Sequence, residues 1–120
     1  MPNTTSIGRL AEQHAATYLI NTFEYKLLAQ NWRTRTCEID LVMYKNQTVY
    51  FIEVKYRHHS DSGTGLEAIN KKKLTQMRRA SYEWLKFNPE YSHFQRTLSA
   101  IELAGSQFDI TNFVESIVEY

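Results

Sequence analysis

The chain has 120 residues, 42% of them apolar and 22% charged, with a formal net charge of +1. That length suits one domain, residues 1–120, around one sizeable core, and the balance of apolar to charged residues is that of an ordinary globular protein. No apolar run is long enough to span a bilayer and no signal peptide opens the chain, so the expected location is the cytoplasm and no membrane partner is expected.

Ser6 is a suitable N-cap, and Ile7, Leu10, Ala11, His14, Ala15, Tyr18 and Leu19 then recur at helical spacing. The pattern predicts a first helix over about residues 6–22, with Glu12 beside its apolar stripe between the small residues Gly8 and Ala16. Tyr25–Trp32 reads as a first strand and Thr36–Tyr44 as a second, followed by a hairpin turn at Lys45-Asn46-Gln47. Thr48–Arg57, rich in β-branched and aromatic residues, reads as a third, central strand. His58–Gly65 is a polar loop with two glycines.

A second helix is predicted over Leu66–Phe87, closed by Asn88-Pro89. Its buried stripe is Leu66, Ile69, Met77, Ala80 and Trp84, and Lys73 falls on the same stripe. Arg96–Leu103 gives a fourth strand, Gly105-Ser106 a turn, and Phe108–Val118 a last strand or a strand with a short helical piece. The fold class is therefore α/β, an α+β mixed sheet flanked by helices, in the order α-β-β-β-α-β with an extra C-terminal β element.

Two of these strands carry acids where core residues would be expected: Glu38-Ile39-Asp40 in the second, and Glu53-Val54-Lys55 in the third. Because a strand alternates faces, Glu53 and Lys55 share one side, while Ile52, Val54 and Tyr56 share the other. If Asp40 faces the same way on the neighbouring strand, two carboxylates and an ammonium converge, a costly arrangement away from water unless a cation uses it. Mg²⁺ is commonly held by one or two carboxylates with waters and phosphate oxygens. Asp40 and Glu53, with the backbone carbonyl of Val54, would supply such a site. Lys55 would stabilise charge on a phosphate or orient the attacking water, and Glu12 would bind the metal through water or accept the proton. Lys73 would reach the phosphate from the second helix. Arg33, Arg35, Arg57 and Lys72 fall in basic windows suited to phosphate contact. The chemistry is metal-assisted hydrolysis of a phosphodiester.

Asp40, a spacer, and then Glu53-Val54-Lys55 resembles the signature of the PD-(D/E)XK nuclease superfamily, whose core order also agrees. More narrowly, the chain resembles the YraN-like family of small bacterial proteins regarded as endonucleases. The resemblance runs through Gly8-Arg9-Leu10-Ala11-Glu12-Gln13-His14-Ala15, Asn31-Trp32-Arg33, Glu38-Ile39-Asp40-Leu41, Phe51-Ile52-Glu53-Val54-Lys55-Tyr56-Arg57, Lys73 and Arg78-Arg79-Ala80. It implies a restriction-endonuclease-like core, a Mg²⁺ or Mn²⁺ cofactor, and Glu12, Asp40, Glu53 and Lys55 at the site. It implies a nucleic-acid partner, DNA first and branched or damaged DNA in particular, by kinship with archaeal Holliday-junction resolvases. A homodimer would suit cutting of two strands, although no coiled-coil seam marks one. Around Thr97 to Ser99 the family carries an Arg-Phe-Asp-like segment, and no aspartate stands here. That departure sets one alternative, a nucleic-acid-binding module of the same fold that does not cut. The aromatic segment Phe108 to Tyr120 sets another, a protein-interaction subunit.

Other conspicuous residues have plainer readings. Glu38 either supports the site or pairs with Arg33 or Arg35. His58 and His59 read as loop residues, His14 as a satisfied histidine at the core margin, and Cys37 as a small apolar strand residue. Trp32 and Trp84 read as core.

Overall fold

The computed structural model describes residues 4–58 and 69–117. The first helix, α1, spans Thr4–Phe23, and strands β1 (Lys26–Arg33), β2 (Glu38–Lys45) and β3 (Thr48–Arg57) follow it. The second helix, α2, spans Lys71–Phe87, and after a 3₁₀ turn at Pro89–Tyr91 come β4 (Gln95–Ala104) and β5 (Asp109–Val114). The five strands form one sheet in the order β1-β2-β3-β4-β5. The pairs β1–β2, β2–β3 and β4–β5 are antiparallel, whereas β3 and β4 run parallel. This is the mixed α/β architecture expected, compatible with a restriction-endonuclease-like core, and β3 is its middle strand.

The parallel pair explains the crossover. A strand that returns beside its predecessor in the same direction needs a long connection, and α2 supplies it. The β2–β3 hairpin closes on Asn46 and Gln47, both with positive φ (50° and 62°), which suits a tight two-residue turn. Each helix covers one face of the sheet. Ala15, Ala16 and Leu19 of α1 pack on Leu41, Met43, Tyr50, Ile52, Ile101 and Leu103. Ala80 and Trp84 of α2 pack on Ile39, Val42, Val49 and Phe51, with Cys37 beside them.

Several expectations change in detail. α2 begins at Lys71, with Asn70 as its N-cap, its side chain accepting from the Lys73 amide. Asn caps in this way because its short side chain satisfies an orphan amide of the first turn. The expected start at Leu66 lies outside the described residues, as does the expected loop from His59 to Gly65, and Ile69 precedes the helix. Leu10 is 42% exposed despite its helical spacing. His14 is exposed, and its ring stacks on Phe108 at 4.7 Å. Gly8 has open space where a Cβ would stand, so the close approach of α1 comes from Ala11, Ala15 and Ala16. The last strand ends at Val114, and Phe108, Ile110 and Phe113 pack against the α1-side core.

Candidate active site

The strand pairing sets the stage. The β2–β3 ladder runs from Lys45↔Thr48 to Leu41↔Ile52 and stops there. One residue further on, Asp40 and Glu53 face each other with no ladder bond between their strands. Asp40 Oδ2 instead accepts the Val54 amide at 2.8 Å, taking the place of a lost backbone acceptor. The alternation of β2 also slips here, because Ile39 packs on the α2 side with Val42 rather than on the α1 side with Leu41. The bend lets Asp40 sit in the opening where the two strands part. A strand residue turns its N–H and carbonyl toward the same neighbour, so the Val54 carbonyl shares the β2 side with Asp40.

Four charged side chains gather around Asp40. Glu53 is buried, and its two oxygens are engaged by different lysines: Lys55 Nζ lies 3.3 Å from Oε2, and Lys73 Nζ lies 3.3 Å from Oε1. Lys55 comes from the same face of β3, as strand periodicity requires, and Lys73 comes down from the first turn of α2. Glu12 arrives from α1. It is 9% exposed, and among the described residues its Oε1 is buried with no hydrogen-bond partner. Asp40 and Glu12 line a cleft of about 450 Å³ together with Glu53, Val54 and His58, and also a smaller cavity of about 220 Å³ toward Arg9, Asn31 and Arg33.

The electrostatics follow from this crowding. Burial, and then the neighbouring Glu53, push the Asp40 carboxyl from 3.8 up to about 8, against the Val54 amide, which pulls it down. Burial also raises Glu12, and Asn31 and Asp40 beside it lower it in part. Asp40 held this way binds a proton at neutral pH unless a cation replaces it. Among the described residues no three His, Cys, Asp or Glu side chains stand close enough to enclose an ion alone. The donor set still suits a hard cation of the Mg²⁺ kind, which takes one or two carboxylates, a backbone oxygen and waters.

The remaining expected residues divide. Arg33 pairs with Glu38 at 3.7 Å, both well exposed, which settles the partner of Glu38. Arg35 and Lys72 are exposed on the surface. Arg57 is held inside the protein, its Nε 3.4 Å from Glu102 Oε2. His58 reaches the cleft, whereas His59 lies outside the described residues. Trp84 is core, and Trp32 is half-buried edge-on to Phe87. Cys37 is buried as a small apolar residue.

Sequence reasoning missed two features. Asn31 sits inside β1 with φ 53°, a conformation Asn tolerates, next to Glu12. Glu102 is buried to 1% exposure, takes the Thr111 hydroxyl at 2.5 Å, and pairs with Arg57. The signal for it was a lone acid in the apolar run Ala100-Ile101-Glu102-Leu103-Ala104.

A mixed sheet with helices on both faces, in this element order, defines a small α/β protein, compatible with a restriction-endonuclease-like fold. The chain belongs to the Uncharacterised protein family UPF0102, whose model matches residues 11–112, in agreement with its YraN-like motifs. A UPF0102 protein of Alkaliphilus oremlandii is 44% identical over 68% of this chain and 69% of its own length. One of Pseudomonas putida is 35% identical over 85% of this chain and 82% of its own. One of Photobacterium profundum is 33% identical over 98% of this chain and 94% of its own.

Proposed function

We propose that this protein is a metal-dependent nuclease that hydrolyses phosphodiester bonds of nucleic acid, DNA first. The observation that carries the reading is the Asp40 carboxylate, bonded to the Val54 amide in the opening between β2 and β3, beside a Glu53 held by two lysines. Evolution rarely keeps buried acids this crowded for stability alone, since each charge loses several kcal/mol of hydration, on the order of the whole net stability of a small domain.

Asp40, Glu53 and the Val54 carbonyl would hold Mg²⁺ or Mn²⁺, which when bound supplies Lewis-acid charge at a phosphate oxygen. Lys55, fixed on the face of Glu53, stabilises the negative charge that grows on the phosphate as the attacking water adds. Glu12, raised by burial and with one unpartnered oxygen, accepts the proton of that water. Arg33, Arg35 and Lys72 meet phosphates away from the reacting one, so binding weakens as salt rises.

The test is incubation with single-stranded, duplex and four-way-junction DNA in Mg²⁺ or Mn²⁺. The reading expects cleavage of at least one substrate, stopped by chelator and lost in Asp40→Ala and Glu53→Ala. No cleavage of any, or cleavage that survives both substitutions, rejects this site as catalytic. Salt-sensitive binding without hydrolysis would favour the binding-module reading, in line with the absent aspartate near Thr97.

A further inference from the structure

Glu53 is bridged on both oxygens, yet its two lysines are not equivalent. Lys55 is two residues along the same strand, so its stem starts on the same face as Glu53 and its charge is felt at that acid. Lys73 comes from another element, and its charge is felt at two acids: it contacts Glu53 Oε1 at 3.3 Å and also lowers Asp40. Those are the two carboxylates that would hold the cation under the proposed function.

We infer that Lys73 is the internal counter-cation of the metal-free protein, holding the Glu53 oxygen that a divalent ion takes over and leaving it when the ion binds. The inference rests on the metal-holding half of the proposed function and names a regulator of that site. It also resolves a conflict in the structure, because a Glu53 saturated by two ammonium groups is a poor ligand until one departs.

The exchange requires little motion. The backbone at Lys73 is fixed, since its amide is capped by Asn70 Oδ1 at 2.9 Å. Its side chain is 25% exposed, so the flexible four-carbon stem has open space to turn into. A change of lysine rotamer is enough, with α2 left in place. The charge then moves in a useful direction. In the metal-free protein Lys73 offsets the crowding of Asp40 against Glu53, and after the exchange its ammonium is free beside the incoming phosphate.

Titration calorimetry with Mn²⁺ alone, no nucleic acid present, tests this on wild type, Lys73→Gln, Lys73→Arg and Lys71→Gln. Lys71 is an exposed lysine of the same helical turn and controls for the general loss of charge. Lys73→Gln should bind Mn²⁺ about tenfold more tightly, by loss of a competing charge at contact distance. Lys73→Arg should return toward wild type, and Lys71→Gln should stay within about twofold. Metal-free Lys73→Gln should melt at a lower temperature than wild type, and Mn²⁺ should restore it by more. Circular dichroism checks that each variant is folded, and Lys73→Met repeats the test without a hydrogen-bonding side chain. Unchanged or weaker Mn²⁺ affinity in folded Lys73→Gln and Lys73→Met overturns the inference, as does Mn²⁺ binding by neither wild type nor variant. Tighter binding without cleavage of any DNA would uphold the exchange and reject the nuclease reading. Cleavage by wild type with unchanged Mn²⁺ affinity in the variants would do the reverse.

Discussion

Two buried acid clusters lie side by side at the same end of β3, and they are built on opposite plans. Around Glu102 the charges balance: one carboxylate faces one guanidinium from Arg57 and accepts one hydroxyl from Thr111, although the Arg57 Nε contact is an ion pair at 3.4 Å without hydrogen-bond geometry. Around Asp40 they do not: Glu12, Asp40 and Glu53 face Lys55 and Lys73, the Asp40 carboxyl is driven far up, and Glu12 keeps an oxygen without a partner. Lys55 and Glu102 are direct cross-strand neighbours, so the two clusters share almost the same surroundings. Their difference therefore reflects composition rather than location. A buried charge that is paired and hydrogen-bonded holds strands together, whereas an excess of acid has room for something the chain does not itself contain.

The largest effect expected from that contrast is on activity. Asp40→Ala and Glu53→Ala should each lower DNA cleavage about 10³-fold or more, as loss of a principal electrostatic group does, without loss of folding. The charge-balanced cluster should behave in the opposite way. Arg57→Met takes the facing guanidinium away from the buried Glu102 carboxylate and should cost about 3 kcal/mol in urea unfolding. Pairing that change with Glu102→Leu should recover most of the loss, because an apolar pair needs no partner. If Arg57→Met proves neutral, Glu102 is not the structural acid described here.

A smaller effect follows from proton linkage. In the unfolded chain Asp40 gives up its proton near its ordinary 3.8, and in the folded metal-free protein it keeps it until about 8. Between those values unfolding releases a proton, so stability falls as pH rises through the window and levels off above it. Asp40→Asn keeps an acceptor for the Val54 amide and removes that slope. The variant should gain on wild type between pH 4 and 8.5 by about 1–3 kcal/mol, measured by thermal melting in chelator. Parallel pH profiles for the two proteins would contradict the raised carboxyl. The smallest effect belongs to Arg33, whose pair with Glu38 is 68% and 54% exposed on the two sides. Arg33→Ala should change stability by no more than about 0.5 kcal/mol and should show itself only as weaker, less salt-dependent DNA binding.

Much of this was legible in the residues themselves. Strand alternation puts Glu53 and Lys55 on one face, and they are in contact. The apolar β-branched run of Thr48–Arg57 marks the central strand, with the observed ends. Helical spacing brings Lys73 to the sheet side of α2, in company with Met77, Ala80 and Trp84. The bend at Asp40 was not legible, because it depends on where the ladder with β3 ends and on an amide of the partner strand. The internal engagement of Arg57 was hidden for a related reason. Its partner Glu102 is 45 positions further along and meets it only through the parallel register of β3 and β4. Periodicity within a segment shows which face a residue takes, not which distant residue shares it. The missing aspartate near Thr97 also looks different in place. Thr97–Ser99 pair with Tyr50–Ile52, short of Glu53, with Leu98 against the α2-side core and Ser99 bonded to the Glu115 carbonyl at 2.5 Å. The Asp40–Glu53 pair is assembled without that segment.

Calorimetric titration of Mn²⁺ into wild type and Asp40→Asn tests the central claim most directly, that Asp40 and Glu53 form one cation site. The account predicts one ion per chain for wild type, with affinity that climbs as pH rises toward 8, and no measurable heat of binding for the folded variant. Equal affinity in the two proteins, or no binding by wild type at any pH up to 8.5, would contradict it.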